Sequence, residues 1–437
     1  MRSRARRSAA FAVVGTLALA APSAGALAAV PFALIAVIGR LVSDGPLFEL
    51  LASPADEVAG QLRGLVSFSL AVTGLALLAS LTGLSATAFV TAILLLVYGD
   101  LTMAVVQPVA DRPLRSVAAF TAGGSIMAVI GLIVVEGFTA ASLEPATVAF
   151  LAVIGALVAA LLRELLIEPD DPIVLVSVTG LLWVLSSLGL ELTLLGFLLA
   201  LAVAVGVGYL SWWLELASLT GMLTGVTISL STIVLGGLGW FALLIAFFGI
   251  GGLAAKYQYE LKVEYGVAES NRGARTIRNV LGNTAVAVAA VVGFAGSMEL
   301  GIEPNLFGYV FAGSLAAAMS DTLSSEVGVV YGDPRLITTM DEVETGTDGG
   351  VSLAGILAGL GGGALIGVLA LAVLGGVPLM GAVVVLVAGV AGMFADSVLG
   401  ATLEGWLLGN QSVNFLSTLV GGLLAPAGAI LIGAIPV

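Results

Sequence analysis

The chain contains no cysteine and no histidine. The first absence excludes disulfides and thiolate metal sites. The second removes imidazole both as a metal ligand and as a general base. Any metal site must therefore be built from oxygen, which favours Mg²⁺ or Mn²⁺. Charge is also scarce: of 437 residues, 10% are charged and 59% are hydrophobic. That balance excludes a soluble domain. The apolar runs are long and continuous rather than alternating, which argues against a β-barrel. The expectation is an all-α, polytopic transmembrane helical bundle.

Lysine is nearly missing too. Only Lys256 and Lys262 are lysines among fifteen basic residues, and the net charge is −13. An acidic, lysine-poor chain looks like the proteome of a halophilic archaeon. A GC-rich genome favouring Arg, Ala and Gly gives the same bias.

Fifteen apolar segments stand out, at roughly 9–21, 26–42, 64–83, 85–106, 117–138, 146–166, 173–190, 194–213, 216–236, 239–254, 279–297, 306–319, 351–374, 377–400 and 412–434. Several are short for a span of about 20 residues, so the expected number of membrane segments is 13–15. The start, an Arg-rich stretch followed by an apolar run and Pro22-Ser23-Ala24, also resembles a signal peptide. The next apolar segment follows at once, which suits a helical hairpin better.

Charge gives the topology. If the N-terminus is cytoplasmic and every segment crosses once, all fifteen Lys and Arg fall in inner loops or at the inner ends of segments. The opposite loops carry Glu144, Glu191, Glu299 and Glu303 and no cation. This is the positive-inside pattern. It predicts a multi-pass protein of the cell membrane, with the polar loop 320–350 facing the cytoplasm.

That loop opens the most informative stretch, Ser320–Ser352. Seven carboxylates (Asp321, Glu326, Asp333, Asp341, Glu342, Glu344, Asp348) accompany one cation, Arg335. Ser320-Asp321-Thr322 reads either as a helix cap or as hard oxygen ligands. Ala395-Asp396-Ser397 repeats the pattern at a second inner end. Gly389, Gly392, Asp396 and Gly400 share one helical face, which also reads as tight packing. Two carboxylates from different helices on one side of the membrane are what a shared metal needs. Thr345–Ser352 places glycines and hydroxyls before a helix, a geometry that presents backbone N–H groups to phosphate or simply makes a turn. The inner loop 255–278 gathers Lys256, Lys262, Arg272, Arg275 and Arg278, either to neutralise phosphates or to anchor topology beside anionic headgroups. Arg278 and Asn283 lie at the mouth of a helix. Gly355, Gly359, Gly363 and Gly367 read as a packing face, and Trp183, Trp212, Trp213, Trp240 and Trp406 as interfacial anchors.

A composition shift near residue 214 separates a motif-poor N-terminal region of unknown role, 1–213, from a working domain, 214–437. The runs 312–328, 334–339, 346–352 and 396–402, with Phe247-Phe248-Gly249, Lys256 and Arg278–Asn283 upstream, resemble the integral membrane family that includes plant and cyanobacterial phytyl-phosphate kinase. The resemblance covers about 214–437. It implies a kinase that moves a phosphoryl group from a nucleoside triphosphate, CTP favoured, to an isoprenyl monophosphate such as geranylgeranyl phosphate. It also implies Mg²⁺ held by Asp321 and Asp396 with Glu326. Thr347, Gly349, Gly350, Ser352 and Asn283 would then bind the nucleotide phosphates, and Arg335, Lys256 and Arg278 would neutralise charge. The expected partners are the nucleotide, the isoprenyl phosphate lipid and the bilayer, with no nucleic acid. Two alternatives remain at this point: a CTP-dependent cytidylyltransferase making a CDP-lipid, and a membrane transporter or flippase.

Overall fold

Hydrophobic continuity this long leaves the backbone no partner but itself, so helices are expected throughout. The computed structural model is all-helical apart from one two-residue pairing, and describes residues 2–107, 113–138, 143–166, 171–268 and 271–436. Among these, thirteen helical stretches are long and apolar enough to cross a membrane, with Pro172–Ser186 a shorter apolar helix. The protein is a polytopic membrane protein.

The chain divides into two units, Met1–Leu198 and Leu199–Val437. In the first, α1 (Arg2–Thr16) and α2 (Ala29–Leu41) are joined by two 3-10 turns and a short helix. Arg7 Nε donates to the carbonyl of Leu51. The chain therefore goes out along α1 and returns along α2, the hairpin that the sequence suggests. There follow α3 (Arg63–Leu81), α4 (Ala86–Val106), α5 (Pro113–Glu136), α6 (Pro145–Leu165) and α7 (Asp171–Ser186). Helix α4 is the centre: Phe89, Val90, Ile93, Leu94 and Leu95 have no exposure at all. Asp100 of α4 pairs with Arg163 of α6, whose guanidinium lies 5.5 Å from the Phe120 ring of α5.

Helix α8 (Leu194–Trp213) crosses the division between the units. The second unit continues with α9 (Leu219–Gly236), α10 (Leu238–Lys256), α11 (Ile277–Ala295), α12 (Pro304–Tyr331), α13 (Leu353–Val373), α14 (Leu379–Leu403) and α15 (Asn410–Leu431). Helix α12 packs against α10, α11, α13, α14 and α15. Its Phe311, Ala312, Leu315, Ala316, Ala317, Ala318 and Met319 are fully buried. Small residues make that enclosure possible. A Cβ on Gly389 would come within 2.7 Å of Ala316 Cβ, and one on Gly392 within 2.4 Å of Ala317 Cβ. The glycine faces of α13 and α14 are packing faces.

Helix α12 runs on past the apolar segment 306–319. It stays helical to Tyr331 and ends at Gly332-Asp333-Pro334, where proline forbids continuation. Helix α14 likewise continues to Leu403. Asp321 and Asp396 are therefore not helix-terminal; they sit inside helices, ten and seven residues before the ends. Asp321 follows Pro304 by 17 residues and Asp396 follows Leu379 by 17. At a rise of 1.5 Å per residue both lie about 25 Å along their helices. Two helices apart in sequence order, α12 and α14 run the same way, so the two aspartates stand at matching depth. That depth is near the far edge of a hydrocarbon core about 30 Å thick.

Candidate functional site

The polar groups of the second unit gather where α12, α14 and α15 meet the start of α11. Asp321 and Asp396 lie within electrostatic and hydrogen-bonding reach of each other. Glu326 and Arg275 are further electrostatic neighbours of Asp321; Asp396 has Ser417 within hydrogen-bonding reach and Glu404 as an electrostatic neighbour. One oxygen of Asp396, Oδ1, is buried without a hydrogen-bond partner. Buried polar atoms are rarely left so.

The loop after α12 folds back onto this place. Arg335-Leu336 (β1) and Gly350-Val351 (β2) pair antiparallel. Gly349 has φ +77°, and a Cβ there would sit 2.4 Å from Ala401 Cβ and 2.6 Å from Ser397 O. Only glycine permits that approach. It brings Asp348 beside Glu404, whose carboxyl is raised above its ordinary value of 4.5, chiefly by burial and then by the Asp348 charge.

The expected phosphate and cation groups divide. Gly349 is at the loop's contact with α14, Gly350 packs within the loop against Thr347, Pro334 and Val343, and the exposed Thr347 spends its hydroxyl on Glu344 O at 2.7 Å. Ser352 caps α13, accepting from Gly355 N at 3.1 Å. Asn283 is buried, with Nδ2 donating to Asn279 O. Arg335 holds the loop itself, donating to Met340 O at 3.0 Å and to Glu342 at 2.6 Å. Lys256 donates to Leu214 O at 2.9 Å. Arg278 is exposed. Glu326 is engaged by Lys262 at 2.5 Å. The cation that does face Asp321 is Arg275, 6% exposed. Nothing in the basic loop singles out Arg275 from its neighbours; its separation of three residues from Arg278 carries no signal of which one turns inward.

Among the described residues, no three carboxylates converge closely enough to hold a metal. Mg²⁺ does not require three: it keeps waters and takes one or two carboxylates plus substrate phosphates. The paired aspartates and the orphaned Asp396 oxygen fit an ion held in that open manner.

Residues 202–422 match the family described as integral membrane protein DUF92. The chain belongs to this family. Its match begins inside α8, close to the division at Leu198. The chain is similar to an uncharacterized membrane protein of Methanocaldococcus jannaschii, 37% identical over 190 residues, which span 43% of this chain and 75% of the relative. It is similar to an uncharacterized membrane protein of Synechocystis, 36% identical over 210 residues, or 45% of this chain and 77% of that one. It also resembles Protein VTE6, chloroplastic, of Arabidopsis thaliana, 33% identical over 221 residues, or 47% and 65% of the two chains. No solved structure matches it.

Proposed function

We propose that the protein is a membrane kinase that transfers a phosphoryl group from a nucleoside triphosphate, CTP favoured, to an isoprenyl monophosphate. The observation that carries this reading is the meeting of Asp321 and Asp396. They come from the two motifs on which the family resemblance rests, 75 residues apart, on neighbouring helices at one depth. The site would face the cytoplasm, where the positive-inside pattern puts it and where nucleotides are found.

Asp321 and Asp396 would hold Mg²⁺, and Glu326 would join them only by releasing Lys262. When bound there, the ion would offset charge on the phosphoryl oxygens. The protein's own work is placement. The loop 346–352 covers the site through Gly349, while the N–H groups of Thr347 and Gly350 already donate to Glu344 O and Thr347 O and would have to release them to bind phosphate. An oxygen of the acceptor phosphate attacks the terminal phosphorus of the nucleotide, the bond to the bridging oxygen breaks, and a nucleoside diphosphate leaves with an isoprenyl diphosphate as product. The attacking oxygen is already ionised, so no base is needed, which suits a chain without histidine or cysteine.

Purified protein, Mg²⁺, labelled CTP and a panel of prenyl phosphates test this. The expected products are CDP and the prenyl diphosphate. Release of pyrophosphate would move the protein to cytidylyl transfer. Comparable rates for geranylgeraniol and geranylgeranyl phosphate would overturn the choice of acceptor, because the alcohol must lose a proton during attack.

A further inference from the structure

Arg275 is buried and held at its backbone. Its backbone is clamped on both sides: its N–H donates to Leu216 O at 2.9 Å and its carbonyl accepts from Ser218 N at 3.0 Å. A Cβ on Gly221 would lie 2.1 Å from that carbonyl oxygen, so the clamp depends on glycine there. The side chain reaches between α10 and α12. Its guanidinium carbon is 5.8 Å from the Phe247 ring centroid. A Cβ on Gly251 would meet Nη2 at 3.1 Å and Thr322 Cγ2 at 3.4 Å. Thr322 is the residue after Asp321.

Two features need explanation. A buried guanidinium requires a countercharge, and Asp321 is its acidic neighbour. Yet Nε is buried with no hydrogen-bond partner. A guanidinium presents its donors in a planar fork suited to carboxylate or phosphate, and here the Nε of that fork is unused. Asp396 Oδ1, across the same site, is likewise unpartnered. The site thus holds an unspent donor and an unspent acceptor at once.

We propose that Arg275 is the resident counter-ion of the Asp321–Asp396 pair and is exchanged on substrate binding: a divalent cation takes over the carboxylates, and the unused Nε–H of the guanidinium binds the incoming phosphate. This rests on the kinase reading for the identity of the phosphate. The exchange itself requires only an oxyanion. Its consequence is ordered charge. Without substrate, Arg275 opposes the metal by like-charge repulsion. With a phosphate present, it no longer does. Metal and phosphate therefore help each other to bind.

Mn²⁺ serves as the probe, with the free ion followed by its paramagnetic resonance signal on detergent-purified protein containing neither nucleotide nor lipid. Arg275→Gln should bind Mn²⁺ about tenfold more tightly than wild type, because a nearby positive charge is gone. Arg275→Lys should fall near wild type. Adding Asp321→Asn to Arg275→Gln should abolish the gain. Adding CTP should tighten Mn²⁺ binding to wild type and do so far less in Arg275→Gln. Gly251→Ala, which presses on Nη2, should move Mn²⁺ affinity in the same direction as Arg275→Gln by a few-fold, and serves if Arg275→Gln does not fold. Equal or weaker Mn²⁺ binding in folded Arg275→Gln or Gly251→Ala would overturn the proposal. The nucleotide-free titration bears on Arg275 alone. Absence of product in the turnover assay bears on the kinase reading instead.

Discussion

Lys262 Nζ lies 2.5 Å from Glu326 Oε2 while donating to the carbonyl of Ala254 at 3.0 Å. One ammonium thus completes the C-terminal end of α10 and anchors the carboxylate of α12. The end of a helix leaves carbonyls unsatisfied, and a cation there is favoured by the helix dipole.

Removing that ammonium leaves a carboxylate 15% exposed with no partner. Lys262→Met should cost about 3 kcal/mol, read as a lower Tm in detergent. Lys262→Met with Glu326→Leu should recover most of the loss. Equal stability of the single variant and wild type would show that the pair contributes nothing.

Asp321→Asn and Asp396→Asn should each abolish turnover while membrane insertion is retained, because each removes a charged hard ligand without changing shape. Full activity in either variant would sink the shared-metal site.

Ser325, Thr347 and Thr402 are exposed and surround the proposed site. A single cysteine at each, in a chain with none, should react only with reagents applied from the cytoplasmic side. Labelling of any of the three from outside would break the topology.

Gly349→Ala should lose activity and lower Tm, because the new methyl meets Ala401 and Ser397 at 2.4 to 2.6 Å. Gly405→Ala is the comparison: it has φ +82° and nothing within 4 Å. The Gly405 variant bears only the backbone strain of about 1 kcal/mol. Equal effects would mean that the approach of the loop to α14 is unimportant.

Glu404 gives a pH dependence. Burial and Asp348 raise its carboxyl above 4.5, so the folded protein holds this proton more tightly than the unfolded chain. Its favourable contribution is complete below about pH 4.5 and is lost as pH rises through the raised value. Glu404→Gln should therefore raise Tm at pH 7 and leave it little changed at pH 4. A gain at pH 4 equal to that at pH 7 would contradict this assignment.

Much of the fold was legible from hydropathy alone, since all fifteen apolar segments correspond to helices α1 to α15. Their ends were not. Asp321 and Glu326 depress hydropathy, and so hide the helix that carries them to Tyr331. The two aspartates were legible because Ser-Asp-Thr and Ala-Asp-Ser recur. Their partners were not, because burial of a charged side chain is set by tertiary contacts. Arg275 and Arg278 look alike in sequence, and only the first turns inward. Trp240 shows the same limit. It reads as an interfacial anchor, but it is 6% exposed and its ring lies 4.7 Å from those of both Phe294 and Phe311, tilted against each.

The equal spacing of Pro304 to Asp321 and Leu379 to Asp396 makes these two helices matched rulers. Inserting one residue into either would lift its carboxylate by about 1.5 Å and swing it by about 100°, away from the other. Seven inserted residues would nearly restore the direction but displace the group by about 10 Å along the axis. The stretches between helix start and aspartate should therefore tolerate exchanges of small residue for small residue, yet no change of length.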